Sequence, residues 1–394
     1  MSLSICRRLW RLLLGLLAIL IVIMSVIWTF VPRYVESERN IILPLTAPTI
    51  SERARLLHET ITIADMHIDS LLWSRDLTDH DTIGHADIPR LQAGNVALQM
   101  FTTITKTPEN QNYQGNSADT DRISALALVQ RWPIRTWDNL TERALYQAER
   151  LYAFSEASEG QFRVITTKTE LQSLLWDRQQ NTMLVGGMLG IEGAHALSNN
   201  INNLDRFYKA GFRMMGLQHF FDNELGGSLH GIEKGGLTEF GRQVVERMNE
   251  LSMVIDVSHS STKVVEDVLT LSTQPIVLSH TGVFSHCQNN RNIPDNLLRQ
   301  IAGKGGLIAI GYWEAAVCDD TPAGIAKAID AAVKLVGIDH VALGSDFDGA
   351  VATRFDTSEL IYLTQSLIDL GYNDSDIAQV MGGNMVRFFA QVLQ

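Results

Sequence analysis

Residues 61–73 read ITIADMHIDSLLW, from Ile61 to Trp73. The opening Ile61-Thr62-Ile63-Ala64 is short, apolar and largely β-branched, as in a buried strand. Asp65, His67 and Asp69 then follow at every second position. On a strand, alternate residues share a face, so His67 and Asp69 are expected to point the same way from its C-terminal end. A nitrogen and a carboxylate oxygen converging there suit a borderline cation such as zinc. Taken alone, the tripeptide reads rather as a polar strand end with a capping aspartate. The rest of the chain decides between the two.

Downstream, strand-like apolar runs recur at residues 96–104, 183–191, 212–218, 253–257, 275–278, 307–312 and 340–343, making eight with residues 61–68. Amphipathic stretches lie between most of them, at residues 121–132, 140–157, 238–251, 262–271, 295–302 and 323–336, and residues 357–370 and 374–393 close the chain as two further helices. Alternating strand and helix implies parallel pairing, and eight strands close a (β/α)8 TIM barrel. An open doubly wound sheet shares this local pattern. The barrel carries a test, because its active residues gather at strand C-termini. Strand one ends in His67 and Asp69, strand three in Glu192 and His195, and strand four in His219. Strand five ends in His259, strand six in His280 and strand eight in Asp346.

Read as ligands, His67 and Asp69 serve one cation, and His259 and His280 a second. Glu192, with two carboxylate oxygens, bridges both. Two metals roughly 3.5–4 Å apart share a hydroxide that is nucleophilic at neutral pH. Asp346, in the Ser345-Asp346-Phe347-Asp348-Gly349 run, is the expected proton acceptor and later donor to a leaving amine. Each residue also has a plainer reading: a hydrogen-bonded loop histidine, a helix cap at Asp346 or Asp348, a turn at Glu192-Gly193. Six plain readings at six strand ends explain less than one site does. His195 stays open between the two, Asp65 reads as structural, and His58, His80, His85, His230, His286 and His340 read as structural or surface residues.

Residues 1–40 differ in kind. Arg7, Arg8 and Arg11 precede an unbroken apolar run, Leu12–Val31, long enough to span a bilayer. The arginines before the run place the N-terminus inside, so the large domain is expected outside the cytoplasm, in the periplasm where there are two membranes. A cleaved signal peptide is the rival, but the run is long for one and no A-x-A-like site follows it. Residues 41–60 read as a linker and leading helix capped by Thr49 or Ser51, and residues 61–394 as the barrel. The net charge of −12 argues against a nucleic-acid partner. Three cysteines exclude a disulfide scaffold, while Cys287 and Cys318 in the exported part are either bridged or free.

The stretches DMHIDSLLW, GIEGAHAL, LTEFGRQVVERMN, IDVSHSS, VLSHTGVFSHCQNNRNIPD and LGSDFDG together resemble the membrane (renal-type) dipeptidases, from about Ile61 to the C-terminus. That resemblance implies a dizinc barrel hydrolysing dipeptides, with two Zn2+ held by His67, Asp69, Glu192, His259 and His280, and Asp346 as the catalytic acid–base. It implies that His219 stabilises the oxyanion and that Arg291, which alone reads as a surface arginine, holds the substrate's C-terminal carboxylate. It also implies tolerance of a D-residue at the C-terminal position, a homodimer, and a Cys287–Cys318 bridge. One departure concerns the substrate pocket: Ala315 and Ala316 stand where the family carries a tyrosine after strand seven. A related amidohydrolase cutting N-acyl amino acids or lactones is therefore the alternative, and an inert metal-binding barrel the remote one.

Overall fold

The structure, a computed structural model, describes residues 3–394, with side chains from Arg7 onward. Met1 and Ser2, part of the tip that the sequence puts in the cytoplasm, lie outside the described residues. Eight strands, β1 (Ile63–Ile68), β2 (Val96–Ile104), β3 (Val185–Glu192), β4 (Phe212–Gly216), β5 (Val254–Asp256), β6 (Val277–Thr281), β7 (Leu307–Ile310) and β8 (Val341–Leu343), pair in parallel with their neighbours. Leu343 of β8 pairs with Asp65 of β1, which closes the ring. The fold is the (β/α)8 barrel, and the open-sheet alternative fails on that last pairing.

Period-two alternation builds two cores. Ala64, Met66, Leu98, Met100, Met188 and Met214 form one cluster with Phe388 and Phe389 of the last helix. Ile63, Phe101, Val185 and Leu189 pack instead with the surrounding helices. Ser51, rather than Thr49, caps helix α2 (Glu52–Thr60), its hydroxyl accepting from Ala54 N. The sequence predicts one closing helix over residues 374–393, but the structure breaks it at Gly382. A Cβ there would meet the Thr62 carbonyl oxygen at 2.4 Å, so the helix passes too close to β1 for any other residue. A short strand, Phe162–Val164, and a helix, Lys168–Arg178, were not predicted. The helix has low amphipathicity, and Thr167 and Glu170 make a capping box at its start.

Helix α1 (Leu3–Ser37) contains the apolar run and, among the described residues, is the only helix long and apolar enough to cross a membrane. Its final turn is seated on the barrel. Arg33 grips Asp81 with two hydrogen bonds of 2.8 and 2.9 Å. Glu36, 1% exposed, pairs with the buried Arg75, which reaches Asp348 at 2.6 Å. Beyond the helix, Asn40 Oδ1 accepts from Ala350 N at 2.9 Å, and Ile41–Ile42 pairs in parallel with Ala352–Thr353. The chain leaving α1 is thereby stitched to the loop after β8.

Glu36→Ala should leave the Arg75 guanidinium buried with one fewer counter-charge, a change that lowers stability by about 3–5 kcal/mol. Denaturant unfolding of the full chain in detergent checks this. A loss below about 1 kcal/mol, typical of a surface pair, would show that the helix end is merely resting on the barrel.

Candidate metal centre and catalytic cavity

His67, Asp69, Glu192, His259, His280 and Asp346 meet at the C-terminal mouth of the barrel. His67 Nε2 lies 3.4 Å from Asp69 Oδ2 and 3.7 Å from Glu192 Oε1. His259 Nε2 lies 2.9 Å from the same Glu192 oxygen and 3.0 Å from His280 Nε2, and His280 is 3.4 Å from Glu192. Three three-residue groups result: His67–Asp69–Glu192 and Glu192–His259–His280, which share the glutamate, and His67–Asp256–His280, in which Asp256 is already engaged by Ser258 and Ser279. Asp69 reaches its place by an unexpected route. It lies just past β1, whose pairing is irregular between Asp65 and Ile68, so turn geometry rather than strand alternation brings it to His67.

The donor set fits a pair of borderline cations. His67 Nε2 and Asp69 Oδ2 are buried and face each other with no hydrogen-bond partner. The outer nitrogens of the His67 and His280 rings are occupied, whereas His259 Nδ1 is buried without a partner. Ser279 Oγ donates to Asp256 Oδ2 at 2.6 Å and lies 2.9 Å from both His67 Nδ1 and His280 Nδ1. With its one proton committed to a carboxylate, that hydroxyl accepts from both rings. Both imidazoles therefore carry Nδ1–H and point Nε2 inward, the atom a metal would take. Asp256 and Ser279 escaped the sequence reading, although Ser258-His259 and Ser279-His280 repeat one dipeptide.

The electrostatics of the bare chain reflect the crowding. Burial works against charge on His67, but Asp69 and Glu192 outweigh it and push the imidazole up to about 10. Burial lifts Glu192 well above the carboxylate range, with Asp69 adding to it. Burial also raises the Asp346 carboxyl to about 8, with His67 opposing and Asp69 adding. Asp346 Oδ1 stands 3.9 Å from His67 Nε2. Its φ is 60°, and Asp348 and Ala350 share that left-handed region. Gly349 has no room for a side chain, since a Cβ would lie 2.1 Å from Asp346 Oδ1 and 2.9 Å from Asp69 Oδ2. The loop is pinned by Asp348, which binds Arg75 and accepts from His85 N at 2.6 Å.

Above the cluster opens a cavity of about 330 Å³ lined by Glu192, His219, His259, His280, Arg291 and Asp346. Arg291 is 1% exposed and not a surface residue. It donates to the Ser258 and His280 carbonyl oxygens at 2.9 and 2.6 Å and makes no ion pair among the described residues. His219 Nδ1 contacts the Lys106 carbonyl oxygen at 3.3 Å, and its Nε2 is 3.4 Å from Glu192 Oε2. His195 is buried outside the clusters with neither nitrogen partnered. His230, grouped with the structural residues above, stacks on Phe220 beside His259. Trp313 and Tyr113 also line the cavity, and the indole N–H donates to Tyr113 Oη at 2.9 Å. Since that oxygen accepts from Trp313, its own proton is free to point elsewhere. Tyr113 sits in a long polar loop and gave no sequence signal. Cys287 and Cys318 are joined in a disulfide.

A closed parallel barrel with histidines and carboxylates converging at its C-terminal mouth defines a metal-dependent hydrolase of the barrel type. Residues 51–394 match the model of the membrane dipeptidases, peptidase family M19, and the chain belongs to that family. Dipeptidase aclJ of Aspergillus oryzae is 28% identical over 355 residues, covering 84% of this chain and 78% of that protein. Dipeptidase 3 of Mus musculus is 26% identical over 79% of this chain, which spans only 64% of the mouse protein. Among solved structures, the dipeptidase AC, a metallopeptidase of family M19, superposes with a TM-score of 0.70 at 25% identity, covering 85% of this chain and 99% of that one.

Ser279→Ala removes the acceptor shared by His67 and His280. Affinity for zinc, measured by competition with a chromogenic chelator, is expected to fall about 10–100-fold while the fold persists by circular dichroism. Unchanged affinity would show that the two rings are oriented by packing alone.

Proposed function

We propose that the chain is an exported, membrane-anchored dizinc dipeptidase. The observation that carries this reading is the pair of ligand clusters sharing Glu192, set in the floor of a cavity that also holds Asp346 and the unpaired Arg291. His67 and Asp69 would hold one zinc ion, His259 and His280 the other, and Glu192 both. Bound zinc supplies Lewis acidity for the carbonyl and lowers the proton affinity of the attacking water.

The remaining work falls to the chain. Two of the five N–H donors of Arg291 are engaged by carbonyl oxygens, which leaves others for a substrate carboxylate. Asp346 takes a proton from the attacking water and delivers it to the leaving nitrogen. Its loop, held by Asp348 and Gly349, keeps the carboxyl aimed while it changes protonation state. His219 sets Nδ1 3.3 Å from the Lys106 carbonyl oxygen and turns Nε2 to the cavity; burial lowers its pKa to about 4, so the ring is neutral and donates to the developing oxyanion as the Nε2–H tautomer. Tolerance of a D-residue at the C-terminal position rests on the family resemblance.

Residues 1–40 act as cytoplasmic tip and anchor, with residues 61–394 outside the membrane. The exposed apolar side chains of α1, such as Leu12, Leu16, Ile21 and Phe30, and the Cys287–Cys318 bridge both support export. The alternative, an amidohydrolase of other acyl compounds, drew on Ala315 and Ala316 in place of a tyrosine. Tyr113 supplies a phenol to the cavity from another loop, which favours the dipeptide reading.

Full-length protein loaded with zinc and offered L-Xaa-L-Xaa and L-Xaa-D-Xaa dipeptides should hydrolyse members of both sets with two metal equivalents bound. Asp346→Asn should lower kcat by about 10²–10⁴ while zinc content is kept. Cleavage of N-acyl amino acids without any dipeptide cleavage would transfer the protein to the alternative. Dipeptide binding with no turnover by the native chain would make it an inert barrel.

A further inference from the structure

Part of the cavity lining is built differently from the ligand clusters. Leu72, Trp73, Ile104 and Ile123 form a buried apolar cluster against which Val35 of α1 packs. Two cations stand on the same wall: Arg39, just beyond the end of α1, and Arg122, the first residue of α3 (Arg122–Val129). Neither side chain makes an ion pair or a hydrogen bond among the described residues. Arg33, on the same terminal segment, is by contrast fully engaged with Asp81. Arg122 is half-buried, and burial together with the nearby charge of Arg39 lowers its pKa, with only Glu109 acting the other way. Exposed Arg39 and half-buried Arg122 thus stand at the cavity without an ion-pair partner among the described residues, Glu109 being the one nearby acidic charge, in a protein whose net charge is −12. An overall negative field repels anions, so a local cationic pair inside the cavity selects for a particular one.

We infer that Arg39 and Arg122 form a second anion-recognising position in the catalytic cavity, which favours substrates carrying an acidic group besides the carboxylate assigned to Arg291. This rests on the dipeptidase reading above and narrows its substrate class to dipeptides with an acidic side chain. The occupant is a substrate group rather than a lipid phosphate, because both arginines line the same cavity as Asp346 and Arg291. The anchor, through Arg39, contributes directly to specificity.

Matched dipeptides containing Glu or Gln, at either position, test this with the full-length zinc-loaded protein. At one position the acidic substrate should be favoured roughly tenfold in kcat/KM, mostly through KM, as expected for charge-assisted hydrogen bonds. In R39Q/R122Q that ratio should fall to about one, and R39K/R122K should keep part of it. The inference is overturned if the native protein shows no acidic preference at either position, or if the double glutamine variant keeps it. It is equally overturned if that variant keeps the ratio and loses only affinity for vesicles of anionic lipid. If the native protein cleaves no dipeptide, the dipeptidase reading fails separately. Calorimetric titration with the same peptides then decides: tighter acidic binding that the double variant loses supports the arginines, and equal binding overturns them.

Discussion

The structure depends on the forced proximity of carboxylates and imidazoles at one end of the barrel. Asp69, Glu192 and Asp346 share a buried volume with His67, His259 and His280, where like charges repel and none is fully solvated. Cations in the midst of these groups relieve repulsion that protons relieve only in part. A second layer of carboxylates makes the arrangement tenable. Asp256 accepts from Ser258 and Ser279, and Asp65 accepts from His67 N, Ser345 N and Gln99, so both are satisfied by hydrogen bonds outside the two clusters that share Glu192. Asp65, which the sequence reads as structural, therefore fastens β1 to the loop after β8.

Strand ends were legible because the barrel converts position along the chain into position in space. A residue at a strand's C-terminus is delivered to the mouth whatever loop follows, and His67, Glu192 and His280 carry that information locally. What escaped depends on long-range approach. Trp313 and Tyr113 meet across 200 residues, and no local pattern encodes such a meeting. Arg291 looked like a surface residue because its loop is polar, yet carbonyl oxygens of two neighbouring strand-end segments draw it inside. The break at Gly382 likewise follows from a contact with β1, which helical periodicity does not register.

The loop after β8 is the least relaxed backbone of the site, with Asp346, Asp348 and Ala350 all at positive φ. Such conformations persist only where surroundings over-determine them. Here they are held from three directions: by Arg75 and His85 on Asp348, by Asn40 on Ala350 N, and by the short parallel pairing at Ile41–Ile42. Two of these supports come from the chain that leaves α1, and the third is itself backed by Glu36.

That connection bears on how the barrel can be set free of its helix. A protease cutting within Leu12–Val31 would release a domain that retains Glu36, Asn40 and Ile41–Ile42, with the loop supported as before. A cut a few residues later, past Asn40, would release nearly the same mass with Arg75 stripped of a partner and Ala350 N without its acceptor. The two products would be hard to tell apart by size, and the place of the scission would decide in which of them the loop after β8 is still held.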